Sequence, residues 1–196
     1  MGRPATDKRQ RLVSAAIGQF HRKGYANTSL AGVAKAAGVS AGNLFYYFKT
    51  KSDLGRAVVD EWCALLAGYL AALESEDDPW RRLEAFVERA RAMAEMYVTL
   101  GCPLAGLARD LRQEGDPLKF EVSRVYRVQT GWLAAQFQMA GFAPGPSEEH
   151  SNFLMASYHG SILLAYAQED PSLIDGEVER LKTWLRQIRT DCGQSF

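Results

Sequence analysis

Apolar residues recur every three to four positions along nearly the whole chain, and nowhere do they alternate over the length of a strand. Leu12, Val13, Ala16, Ile17 and Phe20 make one stripe, which predicts a helix from about Asp7 to Lys23. Gly24 ends it, with Arg22 and Lys23 at its negative C-terminal end. Leu30, Val33, Ala34 and Ala37 repeat at helical spacing behind Thr28, a good capping residue. Gly38 stops that short helix, Val39 is a lone apolar residue in the turn, and Ser40 caps a second short helix from Ala41 to about Phe48. A long helix follows from Lys51 to about Glu74, with Leu54, Val58, Trp62, Leu65, Leu66, Tyr69 and Leu73 on one face.

Beyond the Glu76–Pro79 turn, Trp80, Leu83, Phe86, Val87, Ala90, Met93, Ala94 and Tyr97 predict one helix reaching about Leu100. Gly101-Cys102-Pro103 breaks it, and Pro103 suits the first position of a helix over Leu104 to Arg112. A helix from Leu118 to Ala140 comes after the Gly115-Asp116-Pro117 break. Gly141 to Pro146 reads as a loop, with Ser147 capping a helix from about Glu148 to Gln168. The last helix, about Ser172 to Arg189, carries Val178, Leu181, Leu185 and Ile188 as a narrow seam suited to another helix. The expectation is an all-α protein of nine helices. Residues 1–50 form one domain and 51–196 a second, with the helix over 51–74 as a rigid connector.

Charge changes the picture. The chain as a whole is neutral, yet residues 1–56 hold ten Lys or Arg against only Asp7 and Asp53, a net of +8. The remainder therefore carries −8. A basic first segment is the electrostatic footprint of nucleic-acid binding. It also argues against plain core packing as the whole meaning of the two short helices. A basic arm, residues 1–5, precedes them. Two helices joined by a Gly-containing turn make a helix-turn-helix, whose second helix enters the DNA major groove. Ala41 and Gly42 allow close backbone approach, and Asn43 has the chemistry to pair with adenine. Tyr46 and Tyr47 carry hydroxyls for phosphates, and Lys49 and Lys51 add charge. Thr28, Ser29 and Ser40 stand at the helix starts and complete the expected DNA-facing set.

The run GVAKAAGVSAGNLFYYFKTKSDL resembles the DNA-binding signature of TetR-family transcriptional regulators. Phe45 departs from the Tyr commoner there, and Tyr47 stands where many members carry His. The resemblance covers the first quarter of the chain. It implies a homodimeric DNA-binding regulator, released from a pseudo-palindromic operator by a small-molecule effector bound in a helical second domain. Effector-binding candidates there are Trp62, Phe86, Met93, Met96, Tyr97, Cys102, Leu107, Tyr126 and His159: aromatic, Met and a few polar groups, as a ligand cavity requires. Cys102, just ahead of a helix start, is a candidate reactive thiol, so a redox- or electrophile-sensing repressor is the alternative. The last two long helices are the expected dimer interface, through Ser157, Gly160, Ser161, Leu164, Val178, Leu181, Leu185 and Ile188.

Other classes find no support. No nucleophile motif, paired-carboxylate arrangement or phosphate loop marks an enzyme. His21, His150 and His159 show no metal-ligand spacing, so no cofactor is expected. An architectural DNA-packaging protein would be basic throughout. No apolar run has the length of a membrane helix. Three cysteines, Cys63, Cys102 and Cys192, are an odd and sparse set that points to a reducing cytoplasm.

Overall fold

The computed structural model describes residues 5–193, with side-chain surroundings for residues 7–190. Most of the expected basic arm and the side chain of Cys192 lie outside the described residues. Among those described, every regular element is a helix. The chain divides into two compact units, Met1–Leu65 with Pro103–Val125, and Leu66–Cys102 with Tyr126–Phe196.

The first unit begins with α1 (Ala5–Lys23), whose Leu12, Val13, Ala16 and Phe20 are buried as the stripe requires. The helices α2 (Leu30–Ala37) and α3 (Ala41–Tyr47) follow. Ser29, not Thr28, caps α2: its hydroxyl accepts the Gly32 N–H at 3.1 Å. Thr28 is buried and donates its hydroxyl to the Gly24 carbonyl at 2.8 Å. Both residues have capping chemistry, and backbone direction decides between them. Gly38 closes α2 at φ 61°, a left-handed conformation that glycine adopts without a steric penalty. Arg11, on α1, donates to the carbonyls of Ala37 and Gly38 and holds this helix end.

Next comes α4 (Lys51–Leu73), opened by a reciprocal pair in which Thr50 N–H donates to the Asp53 carboxylate and Asp53 N–H donates to the Thr50 hydroxyl, both at 3.0 Å. The helix α7 (Pro103–Glu114) and the start of α8 (Lys119–Met139) also belong to this unit. Gly55 on α4 sits against Leu118 and the Tyr25 ring, where a Cβ would overlap the Leu118 side chain.

The second unit holds α5 (Pro79–Ala92), α6 (Ala94–Leu100), the remainder of α8, α9 (Pro144–Gln168) and α10 (Ser172–Gly193). The stretch expected as one helix from Trp80 to Leu100 is interrupted at Met93, whose φ −113° and ψ 9° leave the helical region. Counted as one bent helix, α5 and α6 make nine helices among the described residues. The apolar period runs in phase through the break, so no pattern marks it. The start of α9 also differs. Pro144 occupies its first turn, where a missing N–H costs nothing, so the expected loop residues 144–146 are helical. Ser147 is fully buried inside the helix and donates to the Ala143 carbonyl at 2.9 Å; it is not the cap.

Packing of α10 against α5 and α9 closes this unit. Val178, Leu181 and Leu185 are buried there, against the chain's own helices. The seam expected to meet a partner helix is thus covered by α5 and α9 within the chain. A narrow seam states that a helix will cover it and is silent on whose helix that is. Arg91 on α5 ties the pair from outside, pairing with Glu88, Asp175 and Glu179 within 2.9 Å.

Candidate functional site

Two sets of residues carry chemistry. The first is the outer face of α3. Leu44 and Phe48 point inward and are buried, while Ala41, Gly42, Phe45, Tyr46 and Lys49 are exposed. At about 100° per residue Ala41, Gly42, Phe45 and Tyr46 share one helical face, and Lys49 follows just past the end of α3. Ser40 begins it, accepting the Asn43 N–H at 3.4 Å.

The expected DNA-facing residues fall into two groups. Ser29, Ser40, Ala41, Gly42, Tyr46 and Lys49 are exposed, and Tyr47 is half-buried with its ring edge-on to Tyr46 at 5.0 Å. The other three are engaged within the unit. Thr28 is buried. Asn43 is half-buried and folds back, its Nδ2 donating to Ser40 Oγ at 2.9 Å, so an adenine contact would have to displace that bond. Lys51 differs most from its expected phosphate contact. Its ammonium donates to the carbonyls of Tyr25 at 3.0 Å and Ala26 at 3.3 Å, lies 4.3 Å from the Tyr25 ring centre, and pairs with Glu114 at 3.7 Å.

Tyr25 is the hub of this region. Its N–H donates to Asp110 Oδ2 and its hydroxyl to Asp116 Oδ2, each at 2.8 Å, and Ser52 donates to the other Asp116 oxygen at 3.0 Å. Burial and the neighbouring carboxylate raise the Tyr25 pKa well above the usual phenol range. The Asp116 carboxyl is lowered, because the Leu118 N–H, Tyr25 and Ser52 all donate to its charged form and outweigh desolvation, the largest single contribution. These carboxylates anchor α7 and the α7–α8 turn to the loop between α1 and α2 and to the start of α4. Sequence reasoning missed them; the one available signal was Asp116 between Gly115 and Pro117.

The second set lies in the second unit. Tyr97 on α6 and Tyr158 on α9 lie close enough to shift each other's ionisation, and the Tyr97 hydroxyl reaches Met93 Sδ at 3.8 Å. Tyr126 on α8 bonds Cys102, whose Sγ lies 3.9 Å from His159 Nδ1. The Tyr126 ring is edge-on to His159 at 5.3 Å, and Phe86 packs on Tyr158 and Trp132. Burial pushes the pKa values of these tyrosines up and lowers that of His159 to about 4. His159 is therefore neutral at pH 7, and its buried Nε2 has no hydrogen-bond partner.

Of the expected effector residues, Phe86, Met93, Tyr97, Cys102, Tyr126 and His159 belong to this cluster. Met96 is half-buried on α6 in the same unit. Trp62 and Leu107 belong to the first unit. Tyr158 and Trp132 were not foreseen, since one aromatic on an apolar helix reads as core like any other. Among the described residues no group of His, Cys, Asp and Glu is arranged to hold a metal, and no helix is long and apolar enough to cross a membrane.

The interface candidates also divide. Leu164 is 52% exposed, whereas Leu181 is 2% exposed. Ser157, Gly160 and Ile188 are intermediate and Ser161 is buried, its hydroxyl donating to the Tyr158 carbonyl at 2.8 Å. Phe153, Ala156, Gly160, Leu163, Leu164 and Ala167 instead form an apolar stripe along α9 at helical spacing, with large side chains exposed.

Residues 12–58 match the profile of bacterial regulatory proteins of the tetR family, and residues 79–176 match that of the C-terminal domain of LmrA/YxaF-like transcriptional regulators. The chain is 25% identical over 162 residues to the HTH-type transcriptional regulator LmrA of Bacillus subtilis, covering 81% of this chain and 86% of LmrA. It is 26% identical over 170 residues to the transcriptional regulator AcuR of Cereibacter sphaeroides, covering 83% and 78%. Among solved structures, a TetR-family regulator from Agrobacterium tumefaciens superposes with a TM-score of 0.79 at 23% identity, over 92% of this chain and 98% of that one. These relatives are regulators of transcription and not enzymes. With one profile on the helix-turn-helix and a second spanning α5 to α10, the chain belongs to the TetR family and is a DNA-binding transcriptional regulator.

Proposed function

We propose that the protein is a homodimeric repressor of the cytoplasm that holds a pseudo-palindromic operator through α3 and is released by a small molecule bound in the second unit. The observation that carries the DNA end of this reading is the exposed face of a capped, internally braced α3 in a segment of net charge +8. Dimerisation is supported by the exposed α9 stripe, along which the large apolar side chains of Phe153, Leu163 and Leu164 face solvent.

The effector end rests on the cluster around His159. A buried nitrogen without a partner carries a free-energy penalty, and it sits among aromatic faces that favour a flat or apolar molecule. An effector whose polar group meets Nε2 removes that penalty. Cys102 ends the second unit and the next residue, Pro103, begins α7, which the Asp110 and Asp116 bonds fasten to Tyr25 in the loop ahead of α2. The chain thus runs from the cluster into the DNA-binding unit within one residue. An effector lowers operator affinity by its differential affinity for the two states, and operator lowers effector affinity by the same factor.

The thiol-sensing alternative has weaker grounds. A positive charge or a helix N-terminus stabilises a thiolate, and His159 beside Cys102, neutral at pH 7, supplies no charge. A gel-shift titration on the DNA upstream of the protein's own gene, with candidate effectors and with an alkylating agent, tests both readings. Release by a small molecule from wild type and from Cys102→Ser alike supports the effector reading. Release that alkylation mimics and Cys102→Ser abolishes replaces it with the thiol sensor.

A further inference from the structure

The outer face of α3 carries an apolar group that phosphate contacts do not explain. Phe45 is 49% exposed, on the same face as Ala41 and Gly42. Its neighbours Leu44 and Phe48 are buried, so the fold uses those side chains for the core and leaves this ring outside. Tyr46, 74% exposed, has a hydroxyl that serves at a phosphate, and its ring rests edge-on against Tyr47. Phe45 has no such group. It can neither donate to nor accept from a base edge or the backbone.

A ring of this kind is rewarded most in the major groove by the C5-methyl of thymine, because the donors and acceptors there would be desolvated without replacing their water and the C–H edges of cytosine and the purines offer less apolar area to bury. Asn43, the residue with adenine-reading chemistry, lies at the margin of this face with its amide bonded to Ser40. We propose that Phe45 is a specificity-determining residue that selects thymine in each operator half-site by packing on the C5-methyl, and that Asn43 orders the start of α3 instead of reading a base. The proposal rests on the reading that α3 enters the major groove of operator DNA.

The test uses the full-length protein and a consensus duplex that it selects from a random library, beside the same duplex with every dT replaced by dU. Uracil keeps the pairing and hydrogen-bonding edges and lacks only the methyl. Burying one methyl corresponds to roughly 4-fold in affinity, so a dimer on two half-sites should lose about 15-fold on the uracil duplex. Phe45→Ala should bind both duplexes equally, near the wild-type affinity for uracil DNA, and select a consensus relaxed at the thymine position. Asn43→Ala should keep the wild-type consensus. Equal binding of the two duplexes by wild type, or an equal loss in wild type and Phe45→Ala, overturns the assignment and places any methyl sensitivity elsewhere. A selection that returns no consensus overturns the operator reading itself. Salt-sensitive binding to all duplexes would accompany that outcome, which separates it from failure of the Phe45 contact alone.

Discussion

Single residues divide here into those that face a ligand and those that hold the facing residues in place. Lys51 moved from the first group to the second once its partners were known. Lys51→Ala should lower stability by about 1.5–3 kcal/mol, the range for charge-assisted hydrogen bonds, and leave the salt dependence of DNA binding unchanged. Lys49→Ala should do the reverse, reducing the slope of log K against log salt by about one phosphate per subunit. Thermal melts beside salt titrations of both variants check this. His159 makes stability depend on pH. Its pKa is about 4 in the folded chain, against an ordinary value near 6.5 when unfolded. Between those values the unfolded chain holds the additional proton, so stability is complete above pH 6.5 and declines as pH falls towards 4, by at most about 3 kcal/mol. His159→Gln should flatten that part of the curve in urea melts at pH 7, 5.5 and 4.5. The low pKa was not legible in sequence, where a histidine on an apolar helix is read from neighbours of unknown polarity.

At the level of elements, the periodic stripes identified nearly every helix, and the errors lie where two signals compete. Thr28 and Ser29 both suit a cap, Ser147 and Pro144 both suit a start, and Met93 breaks a helix without a glycine or proline. Partnership was the harder inference. The residues of the α10 seam are as apolar and as regular as an interface between subunits would be, yet α5 and α9 cover them. Leu181→Ala should therefore act as a core deletion, costing about 2–5 kcal/mol, and the folded fraction should remain dimeric. A variant of unchanged melting temperature that sediments as a monomer would return this seam to the interface. The helix α7 carried the opposite surprise. Its sequence position assigns it to the second domain, whereas Asp110 and Asp116 bond it to Tyr25 and Ser52.

For the whole molecule, the question is which surface joins two copies. The stripe of Phe153, Leu163 and Leu164 is the exposed apolar face of a long helix, and Gly160 within it has open space where a Cβ would stand. Leu164→Glu should yield monomers with nearly unchanged melting temperature, since the side chain is not part of the chain's own core. Operator affinity should fall with it, because a palindromic site needs two linked recognition helices. Sedimentation velocity read beside an operator titration distinguishes this from misfolding. Wild-type behaviour of that variant in both measurements would exclude the α9 face.

What the amino-acid order determined by itself was everything local or additive: the helical period, the Gly38 turn, the charge separation, and the signature that marks the DNA-reading helix. Each depends on spacings of a few residues or on sums along the chain, so folding leaves it unchanged. Tertiary structure decided what depends on distant partners. It turned Lys51 inward onto Tyr25 and Ala26, placed Asp110 and Asp116 against Tyr25, and gathered Tyr97, Cys102, Tyr126, Tyr158 and His159 from three helices and a turn. It also covered the α10 seam and left Phe45 and Leu164 uncovered. The physical reason is common to all of these. A side chain's charge, size and hydrogen-bonding capacity are its own, whereas its burial and its partner belong to whatever segment folds against it.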